Sequence, residues 1–320
     1  PNGITGYEIK VDSSTFTVKN CSNQGLVKCN FTLSNGAEAD ISSNSTGINL
    51  YGGNALTVND GTTLKVNNNS ERAIMTQGRA TTVVEVKAGG TLEVKNNGSG
   101  FAAEYDDSKY YAERSAISIG VYGWYDAQGR LLLYYNDVLN FEDGAKVEII
   151  GNNVRGISNF GSAYIGNSTI IAENSVNGMV ERGGGIYNAG TLVLASPSRI
   201  YNNHAHTSAD DIYNEAQANV TLTEVADSLV LDDCNHAING WYDDSENNRW
   251  AADTGKELQH IEKVSPEKYE GLMEIKAAHD LEGFSPSTGD RSFVAIYALL
   301  FAAAAFVAMA SRVALKRYGK

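Results

Sequence analysis

One self-similar unit recurs through the middle of this chain: LTVNDGTTLKVNNN from Leu56, VEVKAGGTLEVKNN from Val84 and LNFEDGAKVEIIGNN from Leu139. A less regular copy, AGTLVLASPSRIYNN, starts at Ala189, and GSAYIGNSTIIAEN from Gly161 makes a shorter one. Gly61 and Gly89 lie 28 positions apart and Gly89 and Gly144 lie 55 apart, so one unit takes roughly 22 to 28 residues, a solenoid period. Each unit reads as an alternating strand, a turn with Gly, a second alternating strand and an Asn run. Alternation puts Leu56, Val58, Leu64 and Val66 on one face and Thr57, Asn59, Thr63 and Lys65 on the other, the pattern of half-buried strands. Helical periodicity is sparse before residue 223, which excludes stacked helices. The runs Asn67 to Asn69, Asn96 with Asn97, Asn152 with Asn153, and Asn202 with Asn203 fall at the same point of each unit. Stacked Asn side chains can bond from coil to coil, and Asn tolerates the left-handed conformation a sharp corner needs.

This pattern resembles the right-handed parallel β-helix of the pectin-lyase-like superfamily, and GGGIYNAGTLVL from Gly183 is similar to repeats of bacterial adhesins with that fold. The resemblance implies an all-β solenoid over residues 45–222, with residues 1–44 as an N-terminal coil or cap. An antiparallel β-sandwich is the alternative, with shorter hairpin-connected spacing. Residues 223–282 carry denser charge, and HAINGWYDDSENNRW from His236 is similar to a Gly-Trp-Tyr motif of small β-rich repeats in Gram-positive surface proteins. They are expected to cap the last coil, whose open edge would otherwise template aggregation.

The tail has a different order. SPSTGD at Ser285 to Asp290 precedes an apolar stretch at 293–310 and a basic tail at 312–320 carrying Arg312, Lys316, Arg317 and Lys320. The stretch is about the length of a transmembrane helix, and basic residues beyond it are retained on the cytoplasmic side. A simple tail-anchored span and a glycolipid-anchor signal share some of these parts. Box, span and tail together over 283–320 resemble the Leu-Pro-x-Thr-Gly cell-wall sorting signal of Gram-positive surface proteins. That resemblance implies a sortase and peptidoglycan as partners, with a transient membrane span. It makes 285–289 the cleavage box, Thr288 the acyl donor and Gly289 the leaving residue. Pro286 fixes its own φ and pushes Ser285 out of the helical region, so the box is presented extended. Ser285 stands where the family usually has Leu, which implies a variant sortase. The chain begins with Pro1 and shows no signal peptide, the look of a processed or truncated product.

Composition narrows the partners. A net charge of -13, with no basic cluster before the tail, repels phosphate backbones and excludes nucleic acid. Three cysteines, Cys21, Cys29 and Cys234, are too few for a disulfide scaffold of this length. Cys21 and Cys29 either close a small local loop or are buried thiols.

Chemistry-bearing residues are few, and no cofactor is implied. The doublets Asp210 with Asp211, Asp232 with Asp233, and Asp243 with Asp244 are not themselves catalytic pairs, because strand neighbours point to opposite faces, and they read as solvated turn residues. A catalytic pair would need carboxylates from neighbouring coils. His204 and His206, at i, i+2 on the same side of a strand, are a metal candidate that lacks a third histidine. The spacing doubles between Phe101 and Asn136, where Tyr105, Tyr110, Tyr111, Tyr122, Trp124, Tyr125, Tyr134 and Tyr135 cluster. Asp126 to Arg130 reads as the turn of a hairpin inserted at 101–136. Insertions in solenoids often carry the binding face. Tyr122, Trp124, Tyr125, Tyr134 and Tyr135 are thus candidates for stacking on a ligand, or for packing the hairpin onto the coils. The expected function is a wall-anchored adhesin binding a glycan or a protein, more a binder than an enzyme. The competing class is a surface polysaccharide lyase or hydrolase on the same fold.

Overall fold

The computed structural model describes residues 2–6, 8–78, 80–101, 114–120, 124–125, 131–132, 136–175, 180–195, 198–222, 229–231, 236–238, 240–246, 260–261 and 269–278. They belong to one compact unit, Pro1–Trp250 with Lys256–His279; the second unit, Ala251–Gly255 with Asp280–Lys320, lies outside the described residues. Among the described residues no helix is long and apolar enough to cross a membrane, and the stretch 293–310 lies outside them.

The chain is all-β and winds through three stacked parallel sheets, a parallel β-helix-like solenoid. Seven successive coils each contribute a strand to each sheet, as Thr46–Tyr51, Ala55–Val58 and Thr63–Lys65 do in one coil, and Ile74–Gln77, Val83–Val86 and Thr91–Lys95 in the next. The pairings are parallel and in register: Leu56 faces Val84 and Leu64 faces Leu92. Parallel pairing between strands a full coil apart rules out the antiparallel sandwich, whose neighbours are joined by hairpins. The stack reaches back to Ile4–Thr5, Glu8–Asp12 and Thr15–Lys19, so residues before 45 carry the same three-strand pattern.

The alternating apolar residues line the interior. Leu56, Val58, Leu64 and Val66 are fully buried, in one continuous core from Val11 to Ile275. The opposite faces of the second and third sheets carry polar side chains that pair from coil to coil, such as Lys87 Nζ with Glu142 at 2.9 Å and Lys19 Nζ with Asp40 at 2.7 Å. Cys21 and Cys29 are both free; Cys29 is buried, which pushes its thiol pKa up to about 11.

The corner from the third sheet to the first is built on asparagine. Asn44, Asn69, Asn97, Asn152, Asn174 and Asn203 stack in a buried ladder. Each side-chain amide donates to the next Oδ1, from Asn44 to Asn69 at 3.2 Å through Asn97 to Asn152 at 2.9 Å to Asn174 to Asn203 at 2.9 Å. Each Oδ1 also accepts the preceding ladder residue's backbone N–H, as Asn97 does from Asn69 at 2.9 Å. The ladder runs one way and ends on a group that accepts without donating: Asp211 Oδ1 takes Asn203 N at 3.2 Å and Asn203 Nδ2 at 2.8 Å. The residue before each ladder position turns the corner with positive φ, 56° at Asn68, 57° at Asn96 and 52° at Asn202. Gly47 lies beside this column; a Cβ there would come within 2.5 Å of Val66 and 2.7 Å of the Ala73 carbonyl.

At the other end of the stack, Met273–Ala278 pairs antiparallel with Ile212–Asn214, and Tyr269–Glu270 with Asn219–Leu222. Gly240–Asp243 pairs in turn with Met273–Ala278. Antiparallel strands thus lie on the edges of the last coil in the first and second sheets.

Candidate functional site

Leu26, Ile48, Ile74, Ile117, Ile157, Ile186 and Ile212 follow one another in register along the first sheet, at steps of 22, 26, 43, 40, 29 and 26 residues. The two long steps meet at one rung, Ser115–Ile119. The segment 101–136 is therefore two insertions with a rung between them. Residues 102–113 enter its start and 121–135 leave its end, so both border the same sheet. All five residues of the rung are buried, and its core residues Ile117 and Ile119 explain why it stays in the stack. Within the second insertion Trp124–Tyr125 pairs antiparallel with Leu131–Leu132, a hairpin backbone. Tyr105, Tyr110, Tyr111, Tyr122, Tyr134 and Tyr135 lie outside the described residues, as do the box residues Ser285, Pro286, Thr288 and Gly289.

The outward column of this sheet runs Val27, Asn49, Met75, Ser118, Ser158, Tyr187 and Tyr213. Towards its end it becomes an arginine–aromatic stack. The Tyr187 and Tyr213 rings stack at 5.2 Å and 20°, with Phe160 5.8 Å from Tyr187. The Arg155 guanidinium lies 4.9 Å from the Tyr187 centroid, and that of Arg182 5.4 Å from Tyr213. Arg155 is fully buried and fixed by three acceptors: Gly183 O at 3.2 Å, Arg182 O at 2.8 Å and Ser158 Oγ at 3.3 Å. Burial, and secondarily the Glu215 carboxylate that accepts its hydrogen bond, raises the Tyr187 hydroxyl pKa far above the ordinary tyrosine range. A second group sits nearer the first insertion, where Arg72 and Arg114 lie 5.7 and 5.6 Å from the Phe101 ring. Ser115 and Ser118 share a hydrogen bond of 2.6 Å in the rung itself. Phe160, Tyr187 and Tyr213 are themselves buried, in a small cluster with Ala209, so these rings and cations pack on one another and stiffen this side of the sheet.

Sequence reasoning missed the stack because its members are distant in the chain. The signal was the recurrence of Ile-Tyr-Asn at Ile186–Asn188 and Ile212–Asn214. Ile faces the core, Asn188 and Asn214 join a second amide ladder with Asn159, and Tyr is left outward.

The carboxylates and histidines fall elsewhere. Asp210 and Asp211 are buried rather than solvated, because both accept structural hydrogen bonds. Asp211 ends the ladder, while Asp210 Oδ1 accepts Ala205 N at 2.9 Å. Asp244 is also buried, its Oδ2 accepting Asp210 N at 2.6 Å, which ties it to the last coil. Asp232 and Asp233 lie outside the described residues. His204 Nδ1 lies 3.3 Å from Asp210 Oδ1, and His206 is exposed; both follow the end of the strand Arg199–Tyr201, on a corner rather than on one side of a strand. Among the described residues no group of three or more His, Cys, Asp or Glu side chains is placed to hold a metal ion. Comparison of the chain with protein-family models, with curated proteins and with solved structures finds no match in any of the three.

Proposed function

We propose that this protein is a non-enzymatic surface adhesin, anchored to a Gram-positive cell wall, that holds a glycan or a protein through the insertions bordering its first sheet. The observation that carries this reading is the pair of insertions leaving opposite ends of the rung Ser115–Ile119. Both insertions join the first sheet at this one rung, and insertions in a solenoid are where binding residues are commonly carried. The buried aspartates serve the fold, which favours binding over acid–base chemistry. The coils are taken to wind right-handed, the hand that nearly all parallel crossovers adopt.

Anchoring rests on the order of the tail: box 285–289, apolar stretch 293–310, basic tail 312–320. In this reading a sortase thiolate attacks the Thr288 carbonyl, Gly289 leaves with the downstream chain, and the acyl group passes to a peptidoglycan amine. Thr288→Ala should shift the protein from the wall to the membrane fraction, and unchanged wall attachment would overturn the sortase reading. Binding is tested with residues 1–288 on a panel of polysaccharides and surface proteins. Retention without new reducing or unsaturated ends, weakened about tenfold by Trp124→Ala, is the expected result. Product from any polysaccharide overturns it in favour of an enzyme.

A further inference from the structure

A different part of the surface carries a second site. At the corner joining the third sheet to the first, each ladder residue is flanked by two outward positions. In the first three coils these are Asn20 and Ser22, Ser43 and Ser45, and Asn68 and Ser70. Together with Cys21 and Asn44 they line an open recess of about 430 Å³. The ladder amides of Asn44 and Asn69 are engaged inside, with the next coil and with the Val18 and Ile41 carbonyls. The six flanking side chains are not: no hydrogen bond joins any of them to the described residues. Positive φ at Asn20, Ser43 and Asn68 turns the chain at each of these corners and sets all three in one column.

The chemistry of the recess is uniform. None of its lining residues is charged, in a chain of net charge -13. Hydroxyls and amides both donate and accept, which matches the hydroxyls of a sugar, and the chain's net charge of -13 disfavours carboxylate or sulfate ligands. The pattern also repeats at the coil spacing of about 4.8 Å. An extended chain of β-linked pyranoses advances by about that distance per sugar, so a chain laid along the corner meets an equivalent Asn/Ser set at each step. We infer that this recess binds a neutral, extended β-linked glycan, one sugar per coil. The site is separate from the first-sheet face, and each can stand without the other.

Cys21 gives the test a local reporter. Its thiol lines the recess and is free and partly exposed, whereas Cys29 is buried. The probe is cellohexaose on the full chain, with alkylation of Cys21 followed by peptide mass spectrometry. Saturating cellohexaose should slow Cys21 alkylation about tenfold. Ser45→Ala should weaken binding about fivefold with unchanged thermal stability, the effect of losing one hydrogen bond. Affinity should rise from cellobiose to cellotriose and then level. Alkylation at the same rate with and without cellohexaose overturns the site, even where the sugar is retained elsewhere and the first-sheet reading survives. Equal protection by an oligogalacturonate overturns the neutral class. Protection of Cys21 that Trp124→Ala leaves intact keeps the recess while removing the hairpin as the place where this sugar binds.

Discussion

At the scale of residues, Asn96 and Asn97 of one corner pair do opposite jobs, as Asn202 and Asn203 do in another. Asn97 is fully buried, and its side chain accepts from Asn69 and donates to Asn152 Oδ1, Val66 O and Lys95 O. Asn96 is exposed and supplies a φ of 57°. Asn97→Ala would strand several buried partners at once and should cost about 3 kcal/mol or more. Asn96→Gly keeps the left-handed corner and should change stability by less than about 0.5 kcal/mol. Urea midpoints of the two variants check this, and equal losses would contradict the division of labour. The adjacent Asn residues look alike in the sequence because only the neighbouring coil distinguishes them.

At the scale of elements, the second insertion is clamped where it rejoins the stack. Asp137 is buried at that point; its Oδ1 accepts Thr82 N at 2.8 Å, and it also bonds Thr76 and Gly120 at the insertion's other leg. Burial raises its carboxyl above the ordinary range, the three hydrogen bonds only partly opposing the shift. The folded chain therefore holds this proton to higher pH than the unfolded chain. The group's contribution to stability is full below about pH 3.9 and is lost as pH rises through the raised value. Asp137→Asn removes that dependence, so relative to the parent it should gain stability from about pH 4 to pH 7. Denaturation midpoints at the two pH values measure it, and parallel behaviour of parent and variant would refute the assignment. The alternating strands of the coils were legible because in–out alternation is local. The rung Ser115–Ile119 was hidden inside an apparent single insertion, since a lone five-residue strand has no repeat beside it to reveal its register.

At the scale of the described unit, the solenoid needs a terminus as much as a repeat. Asp211 ends the amide ladder, Asp244 ties the following segment to the last coil, and Met273–Ala278 covers the edge of Ile212–Asn214. A chain ending at Leu222 would leave the edges of Ile212–Asn214 and Asn219–Leu222 unpaired. It should form larger species by light scattering than a chain ending at residue 282 at equal concentration. Equal masses would show that the antiparallel strands are not what keeps that end from associating.

The sequence by itself determined the all-β class, the coil period, the apolar faces and the Asn corners, because each follows from spacing within one or two strands. It also carried the order of box, apolar stretch and basic tail on which anchoring is proposed. Tertiary structure alone decided which Asn enters the ladder, that Asp210, Asp211 and Asp244 are buried, and that Arg155, Tyr187 and Tyr213 share one strip. Those facts depend on the register between coils and on which residues an outer face meets, and both are set by partners a full coil away in the chain.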